Sequence, residues 1–278
     1  MNIHDGHVHT PYCPHGTLDS LAAYCEKAIQ LGRSGITFTE HAPLPANFND
    51  PTPKQDSAMK HTELTSYIDD INVLKKEYSQ QLTIFTGLEI DFIVGYEEET
   101  EALLAEFGPF LDDSILSVHF LKIKDNYLCL DYSPEVFAEA VNRVGSVDRL
   151  HQLYYETVLK SVTSHLGTYK PKRIGHMTLV QKFSKRFPTE MSHLQIIKSI
   201  LNEMKTRGYS LDYNGAGVIK PLCKEPYPFY EVIELAQNMN IPLVYGSDAH
   251  QVKELSNGFE QILYTNLLLT SDNLYRKQ

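Results

Sequence analysis

An α/β barrel is the fold this sequence predicts, a relative of the eightfold β/α barrel distorted by the loss of one unit, and three observations predict it. Apolar strand-like runs alternate with helix-period segments along the whole chain, the ordering expected of a parallel sheet wrapped in helices. Seven such units can be counted, which makes the class a distorted seven-stranded (β/α)7 TIM-like barrel. No internal repeat, low-complexity tract or linker interrupts them, so residues 1–278 read as one domain.

The first strand is expected from Asn2 to His7. Asp19 then caps a helix that carries Leu21, Cys25, Ala28 and Ile29 on one face and stops at Gly32. Gly35 to Thr39 is the second strand. The segment from Ala42 to about Thr62 has four prolines and no period, longer than a plain connection needs, and reads as a functional lid. A helix from Glu63 to Ser79 leads to the third strand, Leu82 to Leu88. The next helix, Glu97 to Phe107, opens on three glutamates that suit the positive end of a helix dipole. Ser114 to Val118 is the fourth strand, and Leu121 to Asp131 alternates around Lys124-Asp125-Asn126 as a small hairpin. A helical stretch from Ser133 is broken at Gly145 and resumes with the stripe Val147, Leu150, Tyr154, Val158 and Val162. Arg173 to Gly175 is the fifth strand, Glu190 to Arg207 a helix, Ser210 to Tyr213 the sixth strand, Phe229 to Met239 a helix, and Pro242 to Gly246 the seventh strand.

Composition narrows the function. Hydrophobic residues make up 42% and charged residues 22% of the chain, values of an ordinary globular protein with enough apolar residues for a sizeable core. The net charge of −10 argues against a nucleic-acid binder, which needs clustered Lys and Arg to neutralise phosphates. No stretch approaches the roughly 18 apolar residues that span a bilayer, and the opening residues lack the basic-then-apolar pattern of a signal peptide. The four cysteines show no CxxC spacing, so the expectation is a reduced, cytoplasmic protein.

Barrel chemistry sits at the carboxyl ends of the strands, so the residues that follow each strand are informative. They are His7 and His9, with His15 beyond; Glu40-His41; Glu89 and Asp91; His119; His176; the Asn214-Gly215-Ala216-Gly217 turn; and Asp248 with His250. Only 12 histidines occur in the chain, and seven of them fall at these positions. Taken singly, a same-face HxH pair or one strand-end histidine is as well explained by a buried, hydrogen-bonded side chain. Glu89 is more telling, because a carboxylate ending an apolar strand is costly to bury unless it is paired or bound to a cation. Together, imidazoles and carboxylates converging on one barrel face suit zinc, manganese or iron. Cys25 belongs to an apolar helix face and Cys13 reads as a loop thiol.

These residues resemble the polymerase and histidinol phosphatase (PHP) superfamily of metallohydrolases, and within it the monofunctional histidinol-phosphate phosphatases. The resemblance is carried by Asp5-Gly6-His7-Val8-His9-Thr10-Pro11-Tyr12-Cys13-Pro14-His15-Gly16, Thr39-Glu40-His41-Ala42-Pro43, Gly87-Leu88-Glu89-Ile90-Asp91, Ser117-Val118-His119, Ile174-Gly175-His176 and Gly246-Ser247-Asp248-Ala249-His250, in the family's order from residue 5 to 250. It implies a barrel that holds three divalent transition-metal ions. His7, His9, Glu89 and Asp248 would bind one, Glu89 would bridge to a second held by His119 and His176, and His15, His41 and His250 would hold the third.

Such a site fits phosphate-ester hydrolysis, whose uncatalysed rate demands very large transition-state stabilisation. Three divalent ions outweigh two carboxylates, so a phosphate dianion is attracted despite the acidic surface. Asp19 and the lid residue His61 are the candidate acids for the leaving group. Lys182 and Lys220, near strand ends, are the candidate phosphate clamp, and Glu40 reads as a support for the ligands. Asp19, Asp91, Tyr12 or Phe120 would meet the ammonium and imidazole of histidinol phosphate. A phosphodiesterase acting on nucleotides and a non-catalytic metal binder are the alternatives.

Overall fold

The computed structural model describes residues 3–274; the expected start of the first strand at Asn2 lies outside the described residues, as do the outermost residues of the expected 1–278 domain. In chain order the elements are β1 (His4–Val8), α1 (Leu21–Gln30), β2 (Gly35–His41), α2 (Leu64–Glu77), β3 (Thr83–Asp91), α3 (Glu97–Phe107), β4 (Ile115–Ser117), β5 (Phe120–Ile123), β6 (Asn126–Cys129), α4 (Pro134–Val144), α5 (Val147–Thr163), β7 (Arg173–Ile174), α6 (Leu194–Arg207), β8 (Ser210–Asn214), α7 (Ala216–Ile219), α8 (Tyr230–Asn238), β9 (Leu243–Gly246) and α9 (Ser271–Leu274). Seven strands form a parallel sheet in the order β1-β2-β3-β4-β7-β8-β9, and β5 pairs antiparallel with β6 as the expected hairpin.

The sheet curls until its two edges meet. Val8 bridges Ala249, the His9 amide donates to the Ala249 carbonyl at 2.9 Å, and the Asp248 amide donates to the His7 carbonyl at 2.8 Å. The result is a nearly closed seven-stranded barrel, as the alternating pattern predicts. The register slips within β1 between Asp5 and Val8; such irregularities re-aim side chains, and this one lies at His7.

Local chemistry sets the helix ends. Ser20, Ser133 and Ser146 accept from the amides of Ala23, Val136 and Arg149, capping α1, α4 and α5. Gly145 ends α4 at φ 101°, a left-handed turn that favours glycine. The cap of α1 is therefore Ser20 and not Asp19, whose carboxylate instead accepts from the Val252 amide at 2.8 Å. α6 begins at Leu194, later than the expected Glu190, because Asp148 Oδ1 takes the amides of Glu190 and Met191 at 3.1 and 3.0 Å and holds them in a loop. One apolar core runs from Val8 to Ile262 between the sheet and the helices. A smaller cluster of Phe48, Ile93 and Phe120 ties the segment after β2 to the hairpin. Among the described residues no helix is long and apolar enough to cross a membrane.

Candidate metal centre

The carboxyl ends of the strands bring histidines and carboxylates to one point. β1 supplies His7 and delivers His9 just beyond its end; β2 ends in His41 and β3 carries Glu89; His119, His176, Asp248 and His250 follow β4, β7 and β9. Glu89 is the hub. Its Oε2 lies 3.3 Å from His7 Nε2, 3.5 Å from His9 Nε2 and 3.2 Å from His41 Nδ1, while its Oε1 lies 2.9 Å from His176 Nε2 and 3.7 Å from His119 Nε2. Asp248 Oδ1 stands 3.2 Å from His9 Nε2 and 3.7 Å from His7 Nε2. The rings stack against one another, His9 on His250 with centroids 3.9 Å apart and His9 on His41 at 4.3 Å. His15 stands at the exposed rim, its ring about as far from His41 as from His250, at 5.1 and 5.0 Å.

Whether these residues fit metal ions is tested by their unpaired atoms. His7 Nε2, His9 Nε2, His41 Nδ1 and Glu89 Oε2 are buried and make no hydrogen bond among the described residues, yet they face one another. Leaving such groups unpaired costs about 1–3 kcal/mol each, and a cation among them removes that cost. Among the described residues four overlapping donor sets are compact enough: His7, His9 and Glu89; Glu89, His119 and His176; His41, Asp91 and His119; and His9, Cys13, His41 and His250, with donor atoms within 4.8 Å of one another in each. The last adds the buried Cys13 thiol, which burial pushes above its usual pKa.

The far side of several imidazoles is fixed by a second carboxylate. His7 Nδ1 lies 2.9 Å from Asp212 Oδ2, His9 Nδ1 3.2 Å from Glu40 Oε1, and His119 Nδ1 2.7 Å from Asp91 Oδ1. A partner on Nδ1 fixes the tautomer and presents Nε2 to a metal. Glu40 also takes the Thr10 amide and hydroxyl and the His41 amide. Asp212 was invisible as a site residue in the sequence. Its signal was present, a carboxylate inside the apolar strand Ser210–Asn214, the same signal that singled out Glu89. Asp91, expected to meet the substrate, is committed to His119.

The electrostatics follow from this packing. Burial alone would lower the pKa of His9 and His119, but their carboxylate neighbours outweigh it and lift them to about 9 and about 10. Burial would raise Glu89 and Asp248, and the surrounding imidazoles instead hold both well below the usual carboxylate range. Metal ions would take the place of these protons.

A cleft of about 450 Å³ opens above this layer. Lys182 and Lys220, the candidate phosphate clamp of the sequence, line it; Lys182 Nζ donates to Asp131 Oδ2 at 2.8 Å. Phe120 lines it too. Asp19 and His61 do not: Asp19 sits in a separate shallow hollow beside Val252, and the exposed His61 ring packs edge-on against Phe107, 5.5 Å away. Tyr12 likewise turns away, donating its hydroxyl to Asp70 at 2.6 Å. Neither of the residues expected as acids thus lines the cleft: a backbone amide claims Asp19, and the turn leading into α2 carries His61 outward.

Comparison with known proteins agrees with the geometry. Residues 5–216 match the PHP domain family. A histidinol-phosphatase of Bacillus subtilis is 48% identical over 265 residues, 95% of this chain and 99% of that protein. A Deinococcus radiodurans protein assigned the same activity is 34% identical and aligns over 92% of this chain and 89% of its own. Among solved structures, a Listeria monocytogenes protein assigned as a histidinol phosphatase superposes with a TM-score of 0.90 at 37% identity, covering 94% of this chain and all of that one. A Lactococcus lactis histidinol phosphate phosphatase shares the fold at 18% identity, with a TM-score of 0.66 over 94% of this chain and 93% of that one. A family match over most of the chain, and a relative sharing nearly half its residues end to end, place this chain in the PHP domain family, among the histidinol-phosphatases.

Proposed function

We propose that the chain acts as one domain, residues 1–278, and is a metal-dependent phosphatase that hydrolyses L-histidinol phosphate to L-histidinol and inorganic phosphate in histidine biosynthesis. The observation that carries this reading is the convergence of five imidazoles on the buried Glu89, with donor atoms left unpaired, at the floor of a lysine-bearing cleft. The activity named for the Bacillus subtilis relative supports the substrate, as does the Lactococcus lactis structure, which is a complex with zinc, L-histidinol and phosphate. A small phosphorylated metabolite suits the size of the cleft, and a role in amino-acid biosynthesis supports a cytoplasmic location.

We assign three divalent ions, drawn from zinc, manganese and iron, to three donor groups. His7, His9, Glu89 and Asp248 hold the first, Glu89, His119 and His176 the second, and His15, His41 and His250 the third. Ions held there supply Lewis-acid stabilisation of phosphoryl charge and a water of lowered pKa. The chain's own residues do the rest. Asp212, Glu40 and Asp91 keep His7, His9 and His119 in the tautomer that binds metal. Lys182 and Lys220 take the phosphate oxygens, and Asp131 fixes Lys182 for that contact.

The test is phosphate release by the metal-loaded protein. L-Histidinol phosphate is expected to turn over far faster than p-nitrophenyl phosphate, a bis-ester to resist hydrolysis, and His119→Ala to abolish the activity. Turnover of the bis-ester without turnover of histidinol phosphate would overturn the substrate assignment and leave the metal centre standing.

A further inference from the structure

We infer that Asp56, on the segment between β2 and α2, receives the ammonium group of the substrate, so that this segment sets the specificity of the cleft; the inference rests on the phosphatase reading above. The segment is folded down and held. Phe48 packs on Phe120, Tyr127 and Tyr96 with ring centroids 5.0, 5.1 and 5.2 Å apart. The Asp50 carboxylate accepts from the Thr52 amide, the Ser57 amide and the Ser57 hydroxyl at 2.9, 3.1 and 3.0 Å. The Met59 amide donates to the His41 carbonyl at 3.2 Å. These ties put Lys54 and Asp56 in the wall of the cleft. The Asp56 carbonyl accepts from His15 Nδ1 at 2.8 Å, so the segment and the rim ligand are fixed to each other.

Six carboxylates line the cleft, and five of them are engaged. Glu89 and Asp248 face the imidazoles, and Asp91 holds His119. Asp131 is bound to Lys182, and Glu254 takes the His250 amide and the Gln251 side-chain amide. The half-buried Asp56 carboxylate makes no hydrogen bond or ion pair among the described residues.

The substrate's chemistry meets this arrangement. In histidinol phosphate the amine is on the carbon next to the one that bears the ester oxygen. With the phosphate on the metal floor, the ammonium falls one step up the wall, at the level of the rim where Asp56 adjoins His15. Lys54 and Lys220, whose side chains make no ion pair among the described residues, favour the phosphate and repel the ammonium, so a free carboxylate is the group the ammonium end requires. A charge-assisted bond made there discriminates by roughly tenfold or more.

The experiment compares L-histidinol phosphate with its amine-free analogue, 3-(imidazol-4-yl)propyl phosphate, on the metal-loaded protein and on Asp56→Asn, with metal content measured in both. Asp56→Asn keeps the side-chain shape and the backbone bond to His15. It is expected to lose roughly tenfold or more in kcat/KM on the amine substrate, mostly through KM, and to act on the analogue as the wild type does. Equal loss on both substrates, no loss on either, or a preference erased by Asp131→Asn and kept by Asp56→Asn would overturn the inference while the phosphatase reading stands. A wild-type protein that releases phosphate from neither ester overturns both.

Discussion

The barrel buries polar clusters at both ends of the same strands, and they differ in where their open atoms point. At the amino ends, His4 uses both ring nitrogens, Nε2 on the Thr37 hydroxyl at 2.7 Å and Nδ1 on the Ser271 hydroxyl at 2.9 Å, and Arg173 Nη2 donates to Asp113 Oδ2 at 2.7 Å. Arg173 keeps Nε and Nη1 unpaired, but they belong to one cation. A methyl group on Gly6 would sit 2.1 Å from Nη1, so the glycine makes room for the guanidinium inside the barrel. At the carboxyl ends the open atoms of His7, His9, His41 and Glu89 face one another. His4 and His7 are on one strand and equally buried, with opposite chemistry. A buried histidine is therefore no signature of a metal site; unpaired lone pairs from several strands converging on one carboxylate are.

Removing the hub breaks this contrast most severely. Glu89→Gln keeps the volume of the side chain and removes the charge shared by five imidazoles. Ions held there would supply several kcal/mol of transition-state stabilisation, so phosphate release is expected to fall about a thousandfold or more at 1.4 kcal/mol per tenfold. Metal analysis should show depleted ions and circular dichroism a retained fold. Full activity with full metal content would remove Glu89 from the centre.

The opposite end should fail in the opposite way. Asp113→Asn strands the Arg173 guanidinium, which is 1% exposed. Loss of one partner of a buried pair costs about 3–5 kcal/mol, and the partial exposure of Asp113, at 16%, puts the expectation near about 3 kcal/mol. Urea denaturation measures this loss, and the metal content per folded chain should not change. A smaller effect, on affinity alone, is expected of Asp212→Asn, which keeps the shape behind His7. Its carboxylate also takes the His176 backbone amide at 3.3 Å and the Asn214 side-chain amide, Nδ2, at 3.2 Å, so several strands share it. Metal affinity in chelator competition should drop about 10–100-fold, and an unchanged affinity would demote Asp212 to packing.

The carboxyl-end cluster was legible in the sequence because its members repeat a readable device, a polar residue that ends or follows an apolar run. HxH at residues 7–9 and DxH at 248–250 also place both side chains of each pair on one face. Of the supporting groups Glu40 was read as such, and the others were not singled out as supports. Asp212 and Asp113 are single carboxylates whose partners lie far away in sequence, so only the closed barrel pairs them. Local competition defeated two helix starts: Ser20 outcompeted its neighbour Asp19 for the cap, and Asp148, on α5, claimed the amides that would have begun α6. The long segment after β2, read in the sequence as a lid, lies along the cleft and lines it with Thr52, Lys54, Asp56 and Ser57. Its Asp50 knot and its Phe48 anchor were not foreseeable from a run of prolines.

The smallest effect sharpens the comparison most, because one buried histidine from each end, His4 and His119, should titrate with opposite signs once metal is removed. Burial, and then the nearby Arg173, hold His4 down to about 3. The unfolded chain takes up a proton near about 6.5, so the stability from keeping His4 neutral is fully present above that pH and is lost as pH falls from there toward 3. His119 is lifted to about 10. Its contribution is fully present below about 6.5 and is lost as pH rises through the folded value. Neither group can contribute a slope steeper than about 1.4 kcal/mol per pH unit. In chelator-treated protein, urea denaturation across pH is expected to show an acid limb that His4→Asn flattens and an alkaline limb that His119→Asn flattens. Metal ions should then suppress the part of the alkaline limb that belongs to His119 and spare the part of the acid limb that belongs to His4, because coordination needs the deprotonated imidazole and reaches only the carboxyl end. An alkaline limb unchanged by metal would mean that His119 pairs with Asp91 for stability alone, and the two ends of the barrel would be alike after all.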